Sequence, residues 1–98
     1  MLVGYVRVSK SDGSQVTDLQ HDALLSVGVD PQHVYEDTAS GKRDDRPALV
    51  ACLKALRNGD TLAVWKLDRL GRSLRDLITM LDDLKHRGVK FRSLTERD

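Results

Sequence analysis

Short apolar runs alternate with helical apolar periods along the chain. The run at residues 2–6 has no helical period and predicts a buried strand. Further strands are predicted at 33–36, 61–65 and 89–94, the first of them weakly. Between the strands, apolar residues recur at three- and four-residue steps, which predicts three amphipathic helices. Their predicted buried faces are Val16, Leu19, Ala23, Leu24 and Val27; Leu49, Val50, Leu53 and Leu56; and Leu74, Leu77, Ile78, Leu81 and Leu84.

Residues that are typical of helix ends support these three predicted helices. Gly28 and Gly88 follow the first and third helical patterns, where a C-terminal glycine is common. Pro47 fits the first turn of the second helix, and Ser73 with Asp76 resembles a capping box at the start of the third. The strand–helix alternation therefore predicts an α/β fold with a mostly parallel four- or five-stranded sheet and helices on both faces.

The composition agrees with this fold and limits the kinds of core and binding partner that the chain can have. The 98 residues form one domain, and 40% hydrophobic residues with only 4% aromatic ones predict an aliphatic core. A net charge of +1 predicts no general attraction to nucleic acid or membranes, so any anion binding must be local. The single Cys52 excludes an internal disulfide and is expected to be a buried thiol. Without a signal peptide or spanning segment, a soluble cytoplasmic protein is the default expectation.

Polar residues follow three of the predicted strands. The carboxyl ends of parallel strands meet at one edge of a sheet, where open α/β sheets bind their ligands. The residues expected there are Arg7 and Ser9; Asp37, Ser40, Lys42, Arg43 and Arg46; and Lys66, Asp68, Arg69 and Arg72. Arginine stays charged and matches phosphate oxygens bidentately, so a serine among guanidinium groups favours phosphate chemistry. Such a cluster can stabilise charge on a phosphoryl transition state.

The sequence lacks the residue patterns of metal sites, catalytic triads and nucleotide-binding loops. The three histidines have neither metal-ligand nor triad spacing, and no phosphate-binding glycine loop occurs. The arginines near Asp37 and Asp68 argue against a bound divalent cation. Taken singly, Ser9 would most often be a turn serine and the two aspartates a cap and an ion-pair partner. Residue chemistry alone indicates a phosphate-handling domain, with a metal-free phosphohydrolase or a non-catalytic arginine-lined docking module for DNA or an acidic partner as alternatives.

A set of short segments occurs in a familiar order. The segments are 4–9, 18–20, 36–37, 40–41, 45–47, 59–61 and 65–73. Most specific are residues 5–9, Tyr-Val-Arg-Val-Ser, and residues 66–72, Lys-Leu-Asp-Arg-Leu-Gly-Arg. Together they resemble the catalytic domain of the serine site-specific recombinases, in particular the small resolvase/DNA-invertase branch, over essentially the whole chain. The resemblance implies flavodoxin-like strand order and site-specific DNA recombination, by resolution or inversion, without a metal or nucleotide cofactor.

The resemblance also implies roles for individual residues. Ser9 matches the nucleophile that attacks a DNA phosphodiester and becomes joined to the 5′ phosphate, which releases a 3′ hydroxyl. The other matching catalytic positions, four arginines around the scissile phosphate and their acidic partner, are Arg7, Arg46, Arg69, Arg72 and Asp68. The supporting polar positions are Gln15, Gln20, Asp37 and Ser40, to which Lys66 is added from the same sheet edge.

Two departures from the family pattern affect these expectations. The loop from Ser9 to Leu19 is about two residues longer than in many small members, so Gln20 matches better than Gln15. The chain also ends before the family's long oligomerisation helix and C-terminal helix-turn-helix. We therefore expect residues 1–98 to be a truncated catalytic domain, inactive alone. Its full-length parent is expected to act on double-stranded DNA as a homodimer and tetramer in a synaptic complex, without a membrane or nucleotide partner.

Overall fold

The computed structural model describes residues 1–9, 13–39, 46–66 and 73–95. The elements in these ranges are β1 (Leu2–Ser9), α1 (Gly13–Ser26), a 3₁₀ turn (Pro31–His33), β2 (Val34–Ala39), α2 (Pro47–Ala55), β3 (Thr61–Val64), α3 (Leu74–His86) and β4 (Lys90–Ser93). The four strands form one parallel sheet in the order β2-β1-β3-β4. The predicted α/β class is confirmed, with four strands in the described part. None of the helices described is long and apolar enough to cross a membrane.

Strand β1 lies inside the sheet and sends alternate side chains to opposite faces. Val3 and Tyr5 pack in one core cluster, whose helical members come from α2 and α3. Val6 and Val8 pack in a second cluster, to which α1 contributes the fully buried Leu24. Helices therefore cover both faces of the sheet, as the sequence predicted. The near-continuous apolar run of β1 reflects burial on both sides.

Gly4 allows α1 to pack directly on β1. A Cβ atom at Gly4 would lie 2.8 Å from Cδ1 of Leu24, closer than real Cβ contacts allow. A methyl group at this position would therefore displace the Leu24 side chain that α1 packs on β1.

The ends of α3 match the sequence prediction. The Ser73 hydroxyl oxygen accepts a 3.2 Å hydrogen bond from the backbone N–H of Asp76, which makes Ser73 the N-cap. Gly88 follows the helix with a φ of +75°, a conformation that favours glycine. These local signals were readable because each depends only on residues close in sequence.

The apolar face of α3 is only partly buried. Leu84 is 1% exposed, but Leu74 is 72% and Ile78 58% exposed, so their predicted burial was wrong. At 3.6 residues per turn the two side chains project about 80–120° away from Leu84, on the flank of the contact with the sheet. The same correction applies to Leu19 on α1 and Val50 on α2, which are also exposed.

Strand β2 extends three residues beyond its predicted end. It runs to Ala39, so Asp37 lies within the strand and not in the following loop. In the parallel register Asp37 is paired with Arg7, and Ala39 with Ser9. The extension matters because it fixes the position of Asp37 beside the carboxyl end of β1.

Candidate active site

The strand order creates a crevice beyond the carboxyl ends of β1 and β3. From β1 the chain crosses to β2 on one side, and from β2 it crosses back to β3 on the other. Connections diverge at such a point, which is where open α/β sheets bind ligands. Ser9 is the last residue of β1, and Lys66 follows β3 by two residues. Both predicted site residues therefore lie along this edge in the backbone.

Asp37 joins two strands and a helix at this edge. Its carboxylate is buried, with 5% exposure, and accepts three hydrogen bonds. The Tyr5 hydroxyl donates to Oδ2 at 2.9 Å, and the backbone N–H groups of Ala48 and Leu49 donate to Oδ1 and Oδ2 at 2.9 and 3.0 Å. Arg46, the N-cap residue of α2, makes no side-chain capping bond. Asp37 thus supplies from β2 the acceptors that the first turn of α2 needs.

The Tyr5 hydroxyl is held in its protonated, donating form. Burial is the largest cause that raises the pKa of Tyr5 well above its usual value, followed by the hydrogen bond to Asp37 and the charge of that carboxylate. The charges of Arg46 and Arg7 act on the same pKa in the opposite direction. Both guanidinium groups are therefore within electrostatic reach of the Tyr5–Asp37 pair.

Arg7 and Arg46 approach the crevice from different elements. Arg7 lies on β1 opposite Asp37, and Arg46 immediately precedes α2. Both side chains are half-buried. The structure thus brings these two predicted arginines to the same edge, and Asp37 fixes the elements that carry them.

Gln20 connects α1 to the end of β1. Its side chain is fully buried, and Nε2 donates a 3.3 Å hydrogen bond to the backbone carbonyl of Arg7, two residues before Ser9. Its Oε1 is buried without a hydrogen-bond partner among the residues that the structure describes. Leaving a buried acceptor unpaired is unfavourable, so such atoms in folded proteins call for an explanation. The position of Gln20 beside the strand that ends in Ser9 makes it part of the candidate site.

Lys66 reaches the edge from the end of β3. Its ammonium nitrogen lies 4.6 Å from the centroid of the Trp65 ring, within the range of a cation–π interaction. The Trp65 carbonyl accepts hydrogen bonds from the backbone N–H and the hydroxyl of Thr95 at 3.1 and 2.8 Å. Lys66 itself is exposed.

The remaining predicted site residues are described in part or not at all. The side chains of Ser9 and Gln15, like that of Val16, lie outside the described part, although their backbones belong to β1 and α1. Six more residues predicted at this edge lie outside the described ranges altogether: Ser40, Lys42, Arg43, Asp68, Arg69 and Arg72. Within those ranges, no three His, Cys, Asp or Glu side chains come together as a metal site.

Two residues at this edge were missed by the sequence reasoning. The sequence pattern places Tyr5 in a strand but does not indicate that its phenol donates a hydrogen bond to Asp37. Period-two alternation could have indicated it, since Tyr5 and Arg7 are two residues apart on one strand. The sequence pattern places Trp65 at the end of an apolar run, and no sequence signal indicates that its ring lies beside the Lys66 ammonium group.

Comparison with known proteins agrees with this architecture. Residues 2–98 match the family "Resolvase, N terminal domain". The chain is 55% identical over 96 residues to the serine recombinase gin of Escherichia phage Mu. The alignment covers 98% of the chain and 48% of that protein. It is 53% identical over 96 residues to the DNA-invertase of Escherichia phage P1, covering 98% and 50%. The crystal structure of the N-terminal catalytic domain of TP901-1 integrase aligns with a TM-score of 0.68 and 30% identity, covering 96% and 77%.

The parallel sheet, its strand order and its arginine-bearing carboxyl edge define a resolvase-type α/β domain. The chain belongs to the resolvase N-terminal domain family of serine recombinases. The resemblance expected from the sequence is thereby confirmed. The chain spans about half the length of the curated relatives it matches.

Proposed function

We propose that this chain is the catalytic domain of a site-specific DNA recombinase that cuts DNA through a 5′-phosphoserine intermediate and rejoins it. The observation that carries the proposal is the Asp37 network, which joins β1, β2 and the start of α2. It places Arg7, on the strand that ends in Ser9, and Arg46, just before α2, at the same edge of the sheet. Membership of the serine recombinase family supports the same assignment.

The proposed reaction is a pair of transesterifications. The Ser9 oxygen bonds to phosphorus as its hydroxyl proton leaves, the bond from phosphorus to the 3′ oxygen breaks, and that oxygen takes up a proton. Attack by the 3′ hydroxyl of a partner strand reverses these steps and frees Ser9. The phosphoester bond is exchanged and never hydrolysed, so rejoining needs no nucleotide cofactor.

Arginines are the proposed source of transition-state stabilisation. Negative charge accumulates on the phosphoryl oxygens during transfer, and guanidinium groups bind such oxygens bidentately. Arg7 and Arg46 serve this role together with Arg69 and Arg72, and Asp68 orients the cluster. Metal ions are not required in this scheme.

Asp37 and Gln20 are proposed as positioning residues. Asp37 holds the first turn of α2, which carries Arg46 at its N-cap. Gln20 holds the β1 backbone at Arg7 and keeps its buried Oε1 for a group in the neighbouring loop or on the substrate. Gln15 and Ser40 complete the supporting set, and Lys66 contributes charge at the edge.

We also propose that residues 1–98 act as one domain of a longer recombinase, in the cytoplasm, as a homodimer that forms a tetramer on double-stranded DNA. The length of the curated relatives supports this arrangement. The chain's net charge of only +1 also supports it, because sequence-specific DNA binding normally requires many phosphate contacts. No membrane partner is proposed.

The proposal is tested with the natural protein that contains residues 1–98, purified at its full natural length. It is incubated, in the presence of a metal chelator, with a supercoiled plasmid carrying the DNA that flanks its own gene. We expect inverted or resolved circular products with intact strands. Release of inorganic phosphate without strand exchange would instead indicate a phosphohydrolase, and DNA binding without breakage would indicate a docking module.

A further inference from the structure

We infer that Trp65 is a positioning residue, which holds the Lys66 ammonium group at the carboxyl edge of the sheet for a phosphate group of the DNA backbone. The inference rests on the proposed function, because it names DNA phosphate as the anion that Lys66 meets. The juxtaposition that carries it is the 4.6 Å separation between the Lys66 ammonium nitrogen and the centre of the Trp65 ring.

Lys66 has no carboxylate partner among the residues that the structure describes. The ion pairs found in those ranges join Met1 to Asp60, His21 to Glu36, His86 to Asp82, and Arg87 to Asp83. An aromatic face attracts an ammonium group without neutralising it. The cation–π contact itself therefore leaves the full positive charge of Lys66 available to a phosphate.

The backbone of Trp65 is anchored at the end of the sheet. Trp65 directly follows Val64, the fully buried last residue of β3. Thr95 donates two hydrogen bonds to the Trp65 carbonyl, from its backbone N–H and its hydroxyl, so the Trp65 backbone is anchored to the segment that follows β4. The half-buried ring is thus carried by an anchored backbone and lies against a side chain that is otherwise flexible and exposed.

The supported ammonium lies where an incoming phosphate would pass. In the β1–β3 register Tyr5 is paired with Val64. Two residues further along, β1 presents Arg7, and the segment after β3 presents Lys66. With Arg46 before α2, three separate segments bring cations to one edge of the sheet. We therefore expect a DNA strand whose phosphate reaches Arg7 to bring a neighbouring phosphate to Lys66.

The functional test compares four variants of the full-length protein in DNA cleavage. They are Trp65→Leu, Trp65→Phe, Lys66→Gln and the double variant Trp65→Leu/Lys66→Gln. We expect Trp65→Leu and Lys66→Gln each to raise the DNA concentration for half-maximal cleavage about threefold to tenfold, with a smaller effect on the maximal rate. Trp65→Phe keeps an aromatic face and should retain most of the affinity.

The double variant separates positioning from a purely structural role. If Trp65 acts through Lys66, the double variant binds DNA no more weakly than Lys66→Gln alone. Lys66→Gln should also reduce the slope of log affinity against log salt concentration by about one, because one phosphate contact is lost. Effects that multiply in the double variant, or a Trp65→Phe protein as impaired as Trp65→Leu, would overturn the inference.

A spectroscopic readout tests the contact without DNA. The ε-methylene protons of Lys66 should show an upfield ring-current shift in the NMR spectrum of the wild-type protein, and Trp65→Leu should abolish it. A missing shift refutes the contact, whatever the protein does to DNA. An intact shift in a protein that never cuts DNA refutes the proposed function instead, and the salt slope of DNA binding then decides the role of Lys66.

Discussion

The Tyr5 hydroxyl donates a 2.9 Å hydrogen bond to Oδ2 of Asp37, the same oxygen that accepts the backbone N–H of Leu49. One carboxylate oxygen therefore joins the central strand, its neighbour and the first turn of α2. Since Arg7 lies opposite Asp37 and Arg46 precedes that turn, the pair fixes the frame on which both arginines are mounted.

Replacing Tyr5 by Phe removes this hydrogen bond and leaves the aromatic packing in place. We expect the free energy of unfolding to fall by about 1–2 kcal/mol, because the buried carboxylate loses one of its donors. Urea denaturation of the two proteins measures the difference. Tyr35→Phe is the matched control: the Tyr35 hydroxyl has no hydrogen bond in the described part, and this variant should change stability by less than about 0.5 kcal/mol. Equal effects of the two substitutions would contradict a special role for the Tyr5–Asp37 bond.

The raised pKa of Tyr5 predicts a loss of stability in alkali. The ordinary pKa of a tyrosine is about 10. Above that pH the unfolded chain releases the phenol proton while the folded chain retains it, so unfolding becomes more favourable as pH rises. The stability advantage of the wild-type protein over Tyr5→Phe should therefore be full below about pH 10 and shrink above it. Urea denaturation at a series of pH values measures this difference, and a constant advantage across the range would contradict the assignment.

The Cys52 thiol should not react with thiol reagents in the folded protein. It is fully buried, and burial raises its pKa to about 12, so almost no reactive thiolate is present near neutral pH. Labelling with a chromogenic disulfide reagent should be negligible in buffer and complete in denaturant. Rapid labelling of the native protein would show that α2 opens locally.

We expect the Arg46 side chain to contribute much more to DNA cleavage than to the free energy of unfolding. Its side chain makes no capping hydrogen bond to α2, which Asp37 caps instead. We expect Arg46→Lys to change the free energy of unfolding by less than about 1 kcal/mol. Cleavage should fall by orders of magnitude, because lysine keeps the charge but loses the bidentate fork. Single-turnover cleavage and urea denaturation together check this, and wild-type cleavage by the variant would remove Arg46 from the proposed machinery.

Much of the fold could be predicted because its signals are local. Alternation of short apolar runs with helical periods predicted the class, and Ser73 and Gly88 marked the ends of α3. How many side chains of a helix the sheet covers depends on the packing of the whole domain, and neighbouring residues in the sequence do not reveal it. Leu74 and Ile78 fit the apolar period, yet the sheet covers only the side of α3 centred near Leu84.

The sequence could predict which residues share the candidate site, but not all of the contacts that hold them there. The sequence indicated that Arg7, Asp37 and Arg46 would share one edge, and the described residues place them there. It did not indicate that Asp37 lies inside β2 and caps a helix that starts ten residues later, because that contact exists only after the strands are packed. The catalytic roles themselves stay predictions, as do the positions of Asp68, Arg69 and Arg72.

The most direct test of the account asks which atom becomes attached to DNA. The full-length protein is incubated with the DNA flanking its gene, stopped with denaturant and digested with protease, and nucleotide-bearing peptides are identified by mass spectrometry. The account predicts a single peptide in which the Ser9 oxygen carries a 5′-linked nucleotide, and no adduct in a Ser9→Ala protein that still binds the DNA. An adduct on another residue, or bound DNA without any adduct, would contradict it.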